Sequence, residues 1–266
     1  MKILISKALA NNPLNRWFFC LFGEHISFNN LTIRVISTLL DQRIPFYNTT
    51  IDVSDKVITP VTKTLLYWGS YEKKEISFVQ KYLTENEDVI ELGSSIGVMG
   101  SIISQKQTTG KYISVEADPA LINANAKNLA LNRKSDYVLL NKAVDYFNKT
   151  VSFSASKSTL TGKINRNNLD TSTAIIETIT LNEICTTYNL NNFTLVSDIE
   201  GAEITILIND EIALKKCKKI IIEFHDTEYN GRKYLIQDMV NIVINNNFKI
   251  LDHCESVFVF IKNDEY

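Results

Sequence analysis

From residue 88 onward the chain alternates short runs of branched apolar residues with stretches whose apolar positions recur every three or four residues. Val89-Ile90-Glu91-Leu92 reads as a buried strand that stops at Gly93. Residues 97–107 predict the following helix and residues 112–115 the next strand. Asp118-Pro119 then supplies an N-cap and first-turn proline for a helix carrying Ile122, Ala126 and Leu129 on one face. Residues 137–144, 193–199 and 220–224 predict a third, fourth and fifth strand. Before the fourth, Thr180 and Glu183 have the spacing of a capping box that opens a short helix. Residues 232–246, with Leu235, Met239 and Val243 at helical spacing, predict a last helix, and residues 248–251 and 257–261 predict two last strands.

Alternation of this kind predicts an α/β fold, a mostly parallel sheet with helices on both faces. Only five residues separate Leu251 from Val257. A parallel crossover needs roughly a dozen, so these two strands must run antiparallel if they pair. A plain dinucleotide-binding sheet does not end this way. Upstream, residues 31–40 predict a short helix, and residues 75–83 place Ile76, Val79 and Leu83 on one helical face. Residues 51–67 look extended, with Pro60 restricting them to an edge or a break. Residues 152–173, rich in Ser, Thr, Asn and Lys, predict mostly loop.

Composition narrows the class. The 266 residues suffice for one larger α/β domain, and 45% hydrophobic with 22% charged residues excludes wholesale disorder. A net charge of −2 and a pI near 6.0 give no general attraction to nucleic acid or anionic lipid. No run approaches the roughly 20 apolar residues of a membrane span, because residues 17–22 are flanked by Arg16 and Glu24. Lys2 and Lys7 leave too short an apolar core for a secretory leader, so a cytoplasmic location is expected. Cys20, Cys185, Cys217 and Cys254 form no C-x-x-C pair and read as reduced thiols.

The chemistry gathers at three strand ends. Glu91-Leu92-Gly93-Ser94-Ser95-Ile96-Gly97-Val98-Met99-Gly100 has the spacing G-x-x-x-G-x-x-G. Ser95 stands where the dinucleotide fingerprint needs glycine, and Glu91 suits a ligand of positive character better than a diphosphate. Nineteen residues past Gly97, Glu116 ends the second strand, where a carboxylate can accept both hydroxyls of a ribose. The fourth strand delivers Ser197-Asp198-Ile199-Glu200-Gly201-Ala202-Glu203. Asp198 and Glu200 cannot both be core residues, while Glu203 suits the first turn of the next helix. The fifth ends in Ile222-Glu223-Phe224-His225-Asp226, and alternation points Glu223 and His225 the same way. His225 could be a general base, with Glu223 orienting it or binding a metal. His25 and His253 read as structural or exposed.

Taken together these residues resemble the FkbM family of S-adenosylmethionine-dependent methyltransferases, a branch of the seven-stranded, Rossmann-like class I fold. The resemblance rests on Tyr71-Glu72, residues 89–97 and 115–119, Asn141-Lys142-Ala143-Val144, Thr180-Leu181-Asn182-Glu183, residues 198–203 and Ile222-Glu223-Phe224-His225. Glu91 replaces the usual first Asp, Ser94-Ser95 replaces Ala-Asn, and Asn182 stands where Asp is frequent. The resemblance implies residues 51–266 as the methyltransferase domain and residues 1–50 as an accessory segment, expected to be helical. It implies S-adenosyl-L-methionine as cofactor, held by Glu72, Glu91, Gly93, Ser94, Ser95, Gly97, Glu116, Ala117, Asp118, Ala143 and Asp198. Within that set Glu116 goes to the ribose, Asp118 and Ala143 to the adenine side, and Asp198 to the methionine end.

The same resemblance implies transfer to a hydroxyl, most often of a sugar in a surface glycan or glycolipid, with His225, then Asp198 or Glu200, as the base. No metal is expected; a divalent ion on Asp198, Glu200 and Glu223 is the alternative. Residues 17–22 could touch a lipid-linked substrate or a partner, or pack on the domain. The competing readings are an NAD(P)-dependent oxidoreductase on a similar sheet and a catalytically silent, methyltransferase-like binding module.

Overall fold

A computed structural model of the chain describes residues 30–154, 163–165 and 174–263. The apolar patch at residues 17–22, Cys20, His25 and most of the expected 152–173 loop lie outside the described residues. Seven strands form the main sheet: β1 (Asp88–Leu92), β2 (Tyr112–Glu116), β3 (Val138–Asn141), β4 (Phe193–Ser197), β5 (Cys217–Glu223), β6 (Phe248–Cys254) and β7 (Val257–Lys262). Their spatial order is 6-7-5-4-1-2-3. Strands β1 to β5 pair in parallel, and β7 runs antiparallel to both β5 and β6. The antiparallel tail expected from the short 251–257 connection is therefore present, and β7 is the reversed strand.

Nine helices flank the sheet among the described residues: α1 (Asn30–Leu39), α2 (Pro60–Trp68), α3 (Lys73–Tyr82), α4 (Val98–Lys106), α5 (Ile122–Asn132), α6 (Leu181–Thr187), α7 (Glu203–Asn209), α8 (Glu211–Lys216) and α9 (Ile236–Asn245). Strand alternation sorts the core into two layers. Ile90, Ile113, Leu195, Ile220, Ile222 and Phe260 pack with α6 to α9 on one face. Val89, Tyr112, Val196, Ile221 and Val259 pack with α2 to α5 on the other. Each face is covered, which is why the strands read as unbroken apolar runs.

Local chemistry corrects several expected boundaries. The segment expected to stay extended to residue 67 turns into α2, because Pro60 is its first residue rather than a strand breaker. Thr59 caps it by accepting the Thr62 amide at 3.2 Å, and Gly69 closes it with φ 72°. Asp118 does not cap α5: its Oδ1 accepts the Ala120 amide at 2.9 Å in a local turn, and the helix begins at Ile122. Residues 232–234 pair with Thr227–Tyr229 in a hairpin before α9 starts.

The expected third strand is split. Val138–Asn141 stays in the main sheet, while Ala143–Val144 joins a small sheet with Ala174–Ile179, Thr150–Ser154 and Lys163–Asn165. Parts of the expected loop are thus strands, with Val151, Phe153 and Ile176 buried against Ala143. At the other end, an antiparallel hairpin of Arg43–Phe46 and Thr49–Asp52 straddles the expected boundary at residue 50. Its Ile44, Phe46 and Ile51 share a core with Val79 of α3.

Candidate active site

At the carboxyl end of β1 the backbone passes through the left-handed region at Gly93 (φ 82°), Ser95 (φ 47°) and Gly97 (φ 80°) before α4 begins. Gly93 has no room for a side chain, since a Cβ there would stand 1.8 Å from the Asp198 carbonyl oxygen. The Gly93 and Ser94 amides both donate to the Val115 carbonyl, at 2.9 and 3.1 Å. Asn125 of α5 locks the turn from above, its Nδ2 donating to Ser94 Oγ at 2.8 Å and to the Ser95 carbonyl at 2.9 Å.

Glu116 closes the turn from β2. Its Oε2 accepts the Ser95 amide and its Oε1 the Asp118 amide, both at 2.7 Å. Burial raises its pKa to about 7 against the pull of these amides. Each carboxylate oxygen has a second acceptor position, so the group can still take two hydroxyls. The expected adenine-side residues part company here. Asp118 is partly exposed at the turn, whereas the Ala143 side chain is buried in the small-sheet core, with Ala117 packed against that core.

Below the turn lies a small, partly open cleft. Glu72, Glu75, Glu91 and Asp198 supply its carboxylates; Leu92, Met99, Val196 and Ile221 supply apolar wall, and no Lys or Arg among the described residues lines it. Burial pushes Glu91 up to about 8, while the Tyr112 hydroxyl donates to it and opposes the shift. Glu72, at φ 43° before α3, is held well above the usual carboxylate range by burial and by the Asp198 charge. Asp198 rises to about 8 from burial and the nearby Glu223 charge. Such crowding of acids in a dry cleft favours a cationic guest.

His225 sits beside this cleft. Its Nδ1 is 3.2 Å from Glu203 Oε1, and its Nε2 is 3.7 Å from Glu200 Oε2 and 4.0 Å from Asp198 Oδ1. The Glu203 bond leads in raising its pKa to about 9, against the effect of burial. Glu203 Oε1 also accepts the Ile199 and Gly201 amides at 3.2 Å, so one carboxylate ties the 198–203 turn to the imidazole. Glu223 does not share this role. β5 ends at Glu223, alternation stops there, and its Oε1 accepts the Ser256 hydroxyl at 2.8 Å instead.

Two cleft residues and the neighbouring Glu203 escaped sequence reasoning. Glu75 lies four residues before Val79, on the buried face of α3, a placement that marks an acid facing the core. Burial and Glu223 raise it to about 7. Ser197 is the last residue of β4, and its buried Oγ has no hydrogen-bond partner. Glu203 fits a surface first turn by sequence yet is fully buried.

The sheet order with a reversed seventh strand, the glycine turn after β1 and the acid ending β2 define a class I, Rossmann-like methyltransferase. The family described as "Methyltransferase FkbM domain" matches residues 91–250, more than half of the chain, and the protein belongs to it. As a member of that family it is an S-adenosylmethionine-dependent methyltransferase. Solved structures similar to it include a methyltransferase from Pyrococcus furiosus, with 13% identity, 88% of this chain and 96% of that one covered, and a TM-score of 0.43. A ribosomal protein L11 methylase from Lactobacillus delbrueckii subsp. bulgaricus shares 12% identity over 73% of this chain and 80% of that one, with a TM-score of 0.42. A TehB-like SAM-dependent methyltransferase from Corynebacterium glutamicum gives 14%, 71%, 87% and 0.36 in the same order. Among curated proteins no sequence matches the chain. The family match carries the assignment, and it removes the oxidoreductase reading.

Proposed function

We propose that the protein transfers a methyl group from S-adenosylmethionine to a hydroxyl, that of a sugar in a glycan or glycolipid. The observation that carries the reading is the meeting of two features at the ends of β4 and β5. A cleft lined by acids opens at Asp198, and His225 Nε2 stands 4.0 Å from Asp198 Oδ1 and 3.7 Å from Glu200 Oε2, a cluster able to hold and pass a proton.

The residues fit the cofactor. Gly93 and Gly97 leave backbone bare at the turn, and Glu116 retains acceptor positions for the ribose hydroxyls. Ser197 Oγ is buried without a hydrogen-bond partner and the Asp198 carboxylate lines the cleft, which leaves a hydroxyl and the second carboxylate oxygen of Asp198 for the methionine end. Glu72 and Glu91 add negative charge near a sulfonium. Asp118, partly exposed at the turn, is left to the adenine side, while Ala143 belongs to the small-sheet core. When bound, the cofactor presents an electrophilic methyl, and the acceptor oxygen bonds to its carbon as the carbon–sulfur bond breaks with its electron pair left on sulfur.

This chain then has two tasks. It must align acceptor and methyl, which accounts for most of the acceleration in such a displacement. It must also receive the hydroxyl proton, and the cluster of Asp198, Glu200 and His225 offers the acceptor once Asp198 or His225 has released the proton that its raised pKa holds. A carboxylate or phosphate acceptor would need no base, and the acids that line the cleft would repel it.

The test is transfer of labelled methyl from S-adenosylmethionine to a panel of glycans, glycolipid headgroups, amines, carboxylates and proteins. Alkali-stable label on sugar hydroxyls is the expected result. Label confined to carboxylates, amines or protein side chains overturns the reading. The absence of turnover on every acceptor, with S-adenosylhomocysteine still bound, would favour the silent binding module.

A further inference from the structure

Asp198, Glu203 and His225 come from three different places in the chain: the end of β4, the start of α7 and the segment after β5. Each offers one ligand atom, and these atoms lie within 4.8 Å of one another. Neighbouring ligands of one ion at roughly 2.0–2.3 Å stand about 3–3.7 Å apart and opposite ones up to about 4.5 Å, so closure needs side-chain shifts of about 1 Å or less. The second observation is independent of that spacing. Glu203 is 0% exposed and its Oε2 has no hydrogen-bond partner, and Asp198 Oδ1 is likewise buried and unpartnered. Buried carboxylate oxygens left without donors are costly, and an ion is one of the few groups able to satisfy two of them at once.

From this geometry we infer that Asp198, Glu203 and His225 hold a divalent first-row transition cation at the edge of the cleft. One imidazole with two carboxylates suits Mn²⁺, Fe²⁺ or Zn²⁺; Mg²⁺ and Ca²⁺ prefer all-oxygen sets. Asp198 also lines the cleft, so an ion on it borders the space open to an acceptor. Its use in catalysis rests on the hydroxyl-acceptor reading. The ion would draw electron density from a bound hydroxyl, the O–H bond would break, and the proton would pass to Glu200, whose Oε2 is 3.7 Å from His225 Nε2. His225 then acts as a ligand, and Glu200 serves as the base.

The experiment uses the full chain, stripped with a chelator and titrated with Mn²⁺ and then Zn²⁺, without acceptor, by calorimetry and electron paramagnetic resonance. One saturable site per chain with a dissociation constant below about 100 µM is expected. Asp198→Asn and His225→Asn should each weaken Mn²⁺ binding by about 10-fold or more, while Glu211→Gln on exposed α8 leaves it unchanged. Pulsed resonance on the unsubstituted protein should show nitrogen coupled to the bound Mn²⁺, a readout that does not depend on any variant folding. No saturable site, or a site with no coupled nitrogen, or binding that survives both ligand substitutions, overturns the inference. Metal binding is read here without methyl transfer, so failure of the hydroxyl reading would leave the site intact and vice versa.

Discussion

Glu116 Oε2 accepts the amide of Ser95 at 2.7 Å, so the acid ending β2 is bonded to a residue that carries the glycine turn through the left-handed region. The carboxylate is therefore placed before any ligand arrives. Glu116→Gln keeps the shape and loses the charge; Glu116→Ala loses both. Hydrogen bonds to a charged group contribute roughly 1.5–3 kcal/mol, so S-adenosylhomocysteine should bind about 10- to 100-fold more weakly to the alanine variant, with the glutamine variant between. Isothermal titration checks this. Unchanged affinity in both would remove Glu116 from the cofactor site.

Gly93 is the position least tolerant of change. A Cβ would meet the Asp198 carbonyl oxygen at 1.8 Å, and φ is 82°. Because both partners are backbone, no side chain can swing away to relieve the clash. The Asp198 amide also donates to the Leu92 carbonyl at 3.0 Å, so relief would part β1 from β4 at their carboxyl ends. Gly93→Ala should lower unfolding free energy by about 3 kcal/mol or more in urea. At Gly231 a Cβ meets nothing within 4 Å although φ is 74°, so Gly231→Ala should cost only about 1 kcal/mol. Equal costs at the two positions would refute the close-approach argument.

How much of this was legible depends on whether the controlling interaction is local. The sheet was, because burial on both faces removes polar residues from runs such as Ile220-Ile221-Ile222, and the short 251–257 connection forces the reversed strand. Pro60 was misread because a proline serves a strand edge and a helix start equally well, and Thr59 with Gly69 decides between them. The acids were legible as a group near the strand ends, but their partners were not. Glu203 binds an imidazole 22 residues away, and Glu91 takes its hydrogen bond from Tyr112 on the next strand. Glu223 and His225 looked paired by alternation, which fails once the strand ends between them.

The raised acids give the ligand-free protein a pH signature. Glu91 and Asp198 stand at about 8, Glu75 and Glu116 at about 7, and His225 at about 9. Every one lies above its ordinary value, so from about pH 4.5 to 9 the folded state binds more protons than the unfolded chain. Stability therefore falls as pH rises through that window. Groups shifted down, such as Glu87 held by Lys219 and Asp252 at about 2, act only at lower pH. Thermal melts should give a higher Tm near pH 5.5 than near pH 8.5. Glu91→Gln retains an acceptor for Tyr112 and removes a buried charge, so it should raise stability at pH 8.5 by about 1–2 kcal/mol and flatten the slope. A Tm that climbs between about pH 6 and 9 would contradict the assignment.

Substitution at His225 separates cofactor binding from catalysis. The imidazole contacts Glu203, Glu200 and Asp198, whereas Glu116 holds the Ser95 amide of the glycine turn. His225→Ala should thus leave S-adenosylhomocysteine affinity within about threefold. Turnover depends on the group that prepares the acceptor oxygen, and its loss should lower kcat about 100-fold or more with the acceptor found in the glycan panel. Glu203→Gln tests the same point one bond further out. It keeps an acceptor for the imidazole and for the Ile199 and Gly201 amides but withdraws the charge, so its kcat should lie between those of the parent and His225→Ala. Circular dichroism and the retained S-adenosylhomocysteine affinity establish that both variants are folded. Full turnover in His225→Ala would place the proton transfer on Asp198 or Glu200 alone.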